Sequence, residues 1–140
     1  MRVEVSSGII VFRDHDGNRK YLLLGRKEGF LDFPKGHIEK DETEVEAAIR
    51  ETQEETGLKV QPLEGFRREM KYWFKFSGEL IHKKVVMFVG EASDNESPAT
   101  SSEHTGFEWL DYEEALGSLK FQNQKELLED VEKFLNSLGL

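Results

Sequence analysis

The sequence predicts an α/β fold: one domain built on a mixed β-sheet, with helices packed against it. Three observations predict it. Apolar runs of strand character open the chain and recur in its middle. A stretch of good helix formers lies between those two β-rich blocks, and an apolar repeat at helical spacing closes the chain. The 140 residues suit a single domain spanning 1–140. A chain near this size buries roughly 68–70% of the surface it exposes when unfolded, so one core suffices without covalent staples.

Each element has a local reason. Val3 to Arg13 and Lys20 to Arg26 are apolar-rich and flank "DHDGN", a turn signal, which together predict a β-hairpin. "KEGFLDFPKGHIEKD" carries Pro34 and two glycines and reads as loop. Thr43 to Thr56 holds no Gly or Pro and is stopped by Gly57, which predicts a helix. "GFRREMKYWFKF" and "LIHKKVVMFVGEA" are β-rich and separated by "SGE", a second hairpin signal. "SDNESPATSSEH" reads as a polar loop and "TGFEWLDY" as a short strand. From Glu113 onward helix is expected, with Leu127, Leu128, Val131, Phe134, Leu135 and Leu138 on one face.

Composition excludes several functions. With no cysteine, neither a disulfide framework nor a thiolate metal site is possible. No run approaches the roughly 18 unbroken apolar residues of a membrane span, and "MRVEVSSGIIVF" reads as a strand, so no membrane partner and a cytoplasmic location are expected. A formal net charge of −9 without a basic stripe argues against nucleic acid as a partner. Such a chain needs a cation to act on a polyphosphate.

The predicted helix concentrates carboxylates. At about 100° per residue, Glu51, Glu54 and Glu55 share one narrow sector, joined by Glu44 two turns earlier. Val45, Ile49 and Thr52 occupy the neighbouring sector and are expected to face the core. Like charges at this spacing weaken an isolated helix, and the macrodipole disfavours Glu54 and Glu55 in its last turn. A solvated face is the plain alternative for such residues, and on that reading Glu55 is a surface side chain of little consequence for stability. The rest of the spacing favours more. Gly36, five residues, Glu42, seven residues and then "RETQEETGL" resembles the signature of the Nudix hydrolases. It is carried by Gly36, Glu42, Arg50, Glu51, Glu54, Glu55, Gly57 and Leu58, with Thr52 where the family has an aliphatic residue.

The resemblance implies a Nudix α/β/α sandwich with a box at 36–58, cleaving nucleoside diphosphates linked to another group. In the family the glutamates matching Glu51, Glu54 and Glu55 ligate metal, often with the carbonyl of the glycine matching Gly36. Mg²⁺, or Mn²⁺, is the hard cation such oxygen donors suit. Arg50 reads as an orienter of carboxylates such as Glu42 or Glu51.

"FPKGHIE", "YWFKFSGELIHKKVVMF" and "SSEHTGFEWL" further resemble the asymmetrical diadenosine tetraphosphate hydrolases. That likeness implies phosphate contacts from Lys35 and Lys83, and a further carboxylate at Glu103 as metal ligand or general base. His104 is a candidate for a phosphate oxygen. Tyr72 and Phe74, with Phe121 as a second wall, are candidates to stack adenine; they alternate with Trp73 along the strand. Either Glu55 or Glu103 is the base. Three positions depart from the pattern: Leu31 for a frequent Trp, Asp41 for a frequent Gly, and Met87 for a frequent Tyr. ADP-ribose, oxidised nucleoside triphosphates and inositol polyphosphates are alternative substrates, and a nucleotide-sensing module without catalysis is the alternative outside enzymes. A monomer or weak dimer is expected.

Overall fold

The computed structural model describes residues 2–93, 96–101 and 104–140. Strands β1 (Arg2–His15) and β2 (Asn18–Arg26) form the first hairpin. Its turn residues, Asp16 and Gly17, both have positive φ (51° and 80°), as a type I′ turn requires. The hairpin is paired only from Phe12/Tyr21 to His15/Asn18. Below that point β1 parts from β2 and takes β4 (Lys35–His37) along Ser6–Gly8 instead. The segment expected to be loop thus holds two short strands, β4 and β3 (Leu31–Asp32), the latter paired with Leu24 and Gly25 of β2. Gly8 permits the close approach of β4, since a Cβ there would lie 2.1 Å from the Pro34 carbonyl oxygen.

On its other side β1 runs parallel to β6 (Glu79–Glu91), and β5 (Arg68–Phe76) pairs antiparallel beyond it. The β5–β6 turn, Ser77–Gly78, again has two positive φ angles (51° and 78°). Strand β7 (His104–Leu110) pairs with β2. The sheet is mixed, as the order of strand-like and helix-like stretches predicted.

Strand alternation sorts the core into two layers. Ile10, Phe12, Tyr21, Leu23, Val85, Met87 and Val89 point to one face. There α2 (Tyr112–Ser118) and α3 (Gln122–Ser137) bury Ala115, Leu127, Leu128, Val131 and Leu135 against them. Ile9, Val11, Leu22, Leu24, Val86 and Phe88 point to the other, under Ala48 of α1 (Glu44–Thr56). Strands covered on both faces read as unbroken apolar runs, which is why "GIIVF", "YLLL" and "VVMFV" carry no polar alternation. No helix among the described residues is long and apolar enough to cross a membrane.

Two expectations are corrected. The C-terminal helical region is broken at Leu119–Phe121 into α2 and α3, and Leu138 lies beyond α3 at 51% exposure. In α1 the buried face is Ala47, Ala48, Thr52, Glu55 and Thr56, while Val45 is 40% exposed. The helix is turned so that its acidic sector, rather than its aliphatic one, meets the β1–β4 fork.

Candidate active site

Helix α1 begins where Thr43 caps it: the Thr43 hydroxyl accepts from Glu46 N–H while the Glu46 carboxylate accepts from Thr43 N–H, a reciprocal capping box. It ends at Gly57 in the left-handed conformation (φ 76°). Between them Arg50 gathers the acidic residues. Its Nε and Nη2 donate to the two oxygens of Glu42 at 2.7 and 3.0 Å, its Nη1 to Glu51 at 2.8 Å and Glu54 at 3.2 Å, and Nη2 also to the His37 carbonyl at 2.9 Å. The fork-to-fork pair with Glu42 holds that carboxyl below its ordinary range and raises the guanidinium further. Arg50 therefore fastens α1 to the loop after β4 and turns two glutamates toward it.

Gly36 explains the glycine at the head of the box. A Cβ at this position would stand 2.0 Å from Glu51 Oε2, so the Glu51 carboxylate occupies the space a side chain would fill. One residue earlier, Lys35 N–H donates to Glu55 Oε2 at 2.9 Å. Glu55 is 6% exposed, and burial pushes its carboxyl up to about 8, with the nearby Glu51 charge adding to the rise and the Lys35 N–H opposing it. The alternative of a solvated surface glutamate of little consequence for stability is thereby overturned: the fork of β1 and β4 covers the end of the helix.

Glu51, Glu54 and Glu55 line one wall of a cavity of about 900 Å³. Lys35 and Lys83 border it as well. The Lys35 ammonium pairs with buried Asp32. Lys83 is 9% exposed, its Nζ donates to the Ser6 hydroxyl at 2.6 Å, and burial lowers its affinity for a proton. A buried ammonium whose partner is a neutral hydroxyl is suited to receive an anion. Tyr72 and Phe121 form aromatic parts of the wall.

Other candidates lie elsewhere. Phe74 is half-buried behind Tyr72, ring centroids 6.2 Å apart, and Trp73 faces the opposite side of the sheet against His82. Neither borders the cavity. His104 is buried with its Nδ1 3.2 Å from Ser101 Oγ; Ser101 reaches the cavity and His104 does not. Glu103 lies outside the described residues, as do Ser102, Asp94 and Asn95 of the predicted polar loop. Met87 is fully buried in the core under α3, so that departure concerns packing. Asp41 stands at φ 66°, a conformation glycine adopts without cost.

Sequence reasoning missed Asp32, Arg26 and Gln124. Arg26 follows a β-bulge: pairing with β7 shifts between Gly25 and Arg26, and a Cβ on Gly25 would meet Thr105 Oγ1 at 2.4 Å. Arg26 borders the cavity, and its Nε, buried without a hydrogen-bond partner, lies 3.9 Å from Glu28 Oε1. A glycine interrupting the "YLLLGR" strand was the available signal.

Among the described residues no three carboxylate or imidazole side chains converge closely enough to ligate one ion. The donor set nonetheless fits a hard divalent cation. It consists of carboxylates and a backbone carbonyl, one carboxylate lies in a cradle a Cβ would fill, and burial raises the proton affinity of another.

The NUDIX domain family matches residues 3–131, and the chain belongs to the Nudix hydrolases. Within that family it is 35% identical to the asymmetrical bis(5'-nucleosyl)-tetraphosphatase of Mus musculus, over 93% of this chain and 94% of the relative. It is 34% identical to the protein of that name from Sus scrofa, over 94% and 95%. Among solved structures, a C. elegans Ap4A hydrolase binary complex superposes with a TM-score of 0.85 at 24% identity, over 96% of this chain and 98% of that one. The E. coli dihydroneopterin triphosphate pyrophosphohydrolase does so at 0.72 and 18%, over 93% and 97%. At these identities the two structures speak to the fold, which is the α/β/α Nudix sandwich.

Proposed function

We propose that the chain hydrolyses a phosphoanhydride bond of a nucleoside polyphosphate, with diadenosine tetraphosphate, split to ATP and AMP, as its preferred substrate. One observation carries the reading. A single cavity is lined by the glutamates of the box, by buried Lys83 and partly buried Lys35, and by the aromatic residues Phe30, Tyr72 and Phe121. Cleavage of a phosphate chain attached to a base needs those three things together. The likeness to relatives named asymmetrical bis(5'-nucleosyl)-tetraphosphatase supports the choice of substrate.

Glu51, Glu54, Glu55 and the Gly36 carbonyl would hold Mg²⁺ or Mn²⁺, which when bound neutralises phosphate charge and acidifies water. Lys35 and Lys83 bind phosphate oxygens; Lys83 gains there the counter-charge its burial denies it. Arg26 is a third cation on the same wall. Glu55 is the candidate to accept the proton of the attacking water, with Glu103 as the alternative base. The water oxygen bonds to phosphorus, and the anhydride bond breaks with its electron pair on the departing phosphate. Tyr72 and Phe121 stack the base, with Phe74 supporting Tyr72 from behind. Arg50 is a positioning residue, acting through Glu51 and Glu54.

The test is a comparison of kcat/KM for diadenosine tetraphosphate, ADP-ribose and an 8-oxo nucleoside triphosphate, with Mg²⁺ and after chelation. The reading expects the dinucleotide to be favoured and every activity to fall with the chelator. Preference for ADP-ribose would reassign the substrate, and turnover unaffected by chelation would contradict the chemistry.

A further inference from the structure

Asp32, the last residue of β3, has no part in the chemistry above, yet it is 5% exposed on the wall of the cavity. Proteins seldom bury a carboxylate without pairing it and filling its hydrogen bonds. Both oxygens of Asp32 are used, for different ends. Oδ1 accepts from Phe33 N–H at 2.8 Å and from Gln124 Nε2 of α3 at 2.7 Å, two donors that belong to the scaffold and fix the carboxylate. Oδ2 accepts from the Lys35 ammonium. An ammonium has three donors, and the Lys35 side chain keeps 19% exposure, so its other N–H groups are open to a ligand in the cavity. Lys35 needs such an anchor for two reasons. A lysine is a point charge on a flexible stem, and holding it in one place costs rotamer entropy. It also shares the wall with a second ammonium: burial lowers the proton affinity of Lys83, Glu4 opposes that, and the charge of Lys35 lowers it further. Like charges on one wall push apart unless a counter-charge holds one of them.

We propose that Asp32 is a positioning residue which, braced by Gln124, holds the Lys35 ammonium at the place where it meets the phosphate chain. The inference rests on the nucleotide reading and deepens it. It also ties the phosphate site to α3, since Gln124 stands in the first turn of that helix, behind Phe121 at its N-cap.

A double-mutant cycle tests this on the full chain with diadenosine tetraphosphate and Mg²⁺. Asp32→Asn keeps the shape and the acceptor for Phe33 and Gln124, but turns an amide nitrogen, which cannot accept, toward the ammonium. It should lower kcat about tenfold or more while KM changes less than about threefold, because the lysine is still present but out of place. In a Lys35→Met chain the same substitution should cost less than about twofold, since the group it acts through is gone. Equal losses in the two backgrounds would overturn the proposal, for Asp32 would then support the fold and not the lysine. Native kcat in Asp32→Asn, or a loss confined to KM, would also overturn it. Gln124→Met, of similar volume, removes only the brace and should lower kcat by about threefold, a loss that again disappears with Lys35→Met. Should Asp32→Asn fail to fold, this second cycle decides alone, and a Gln124→Met loss that persists without Lys35 would overturn the proposal. If the native chain turns over no nucleotide, the nucleotide reading falls and this inference with it; if it does and the losses simply add, only the role of Asp32 falls.

Discussion

Glu55 is asked to be both buried and charged. Its folded-state carboxyl sits at about 8, above the 4.5 of a solvated glutamate. The folded chain therefore binds a proton there that the unfolded chain has released. Stability without divalent cation should be greatest below about pH 4.5 with respect to this group, and should fall as pH rises toward 8, by an amount on the order of a few kcal/mol. Thermal unfolding from pH 5 to 9 in a chelator checks this. Glu55→Gln should flatten the profile and, in the same protein, abolish most turnover; a variant with the native slope would mean the carboxyl is already ionised at pH 5. Gly36→Ala belongs to the same scale. Its methyl would displace the Glu51 carboxylate by its whole width, so kcat should fall by two orders of magnitude or more with the fold retained. Near-native kcat would show that Glu51 need not lie where it does. The glutamates themselves were legible, because helical spacing brings Glu51, Glu54 and Glu55 together. The burial of Glu55 was not, since β4 covers it from 20 positions away. Nor was the Asp32–Gln124 bond, whose partners lie 92 positions apart.

At the scale of elements, caps and turns were written locally and read correctly. Gly57 ends α1, and Asp16–Gly17 and Ser77–Gly78 make the hairpin turns, each from the conformations its own residues favour. What local reading missed were features made by contact between elements: the short strands β3 and β4, the bulge at Gly25, and the rotation that buries Ala47 and Glu55 and leaves Val45 exposed, whereas Thr52 faces the core as expected. Asp41 is the exception that invites repair. It holds φ 66° without being glycine, and Asp41→Gly should raise stability by up to about 1 kcal/mol, read as a higher denaturation midpoint at unchanged slope. A lower midpoint would mean that the aspartate side chain contributes more than its backbone costs. Arg50 joins α1 to the loop after β4 through contacts that a lysine cannot reproduce together. Arg50→Lys should therefore lower kcat by about 10–100-fold with KM little changed. A change in KM alone would move Arg50 from positioning to substrate binding.

Across the whole molecule, the sheet separates two cores, and the site opens where β1 forks between β4 and β2. A chain with a net charge of −9 draws lysines and an arginine into that one cavity, so its cationic wall is local and its exterior acidic. That division was partly legible, since the charge balance alone called for a cation between this chain and any polyphosphate. Its location was not, because Ser6, Lys35 and Lys83 meet only once β1, β4 and β6 are assembled. The central claim is that this cavity directs water to one end of a dinucleoside polyphosphate rather than to its middle. The measurement that tests it most directly is ion-exchange separation of the products after incubation with diadenosine tetraphosphate and Mg²⁺. Equal amounts of ATP and AMP are predicted. Two ADP for each substrate consumed would contradict the account.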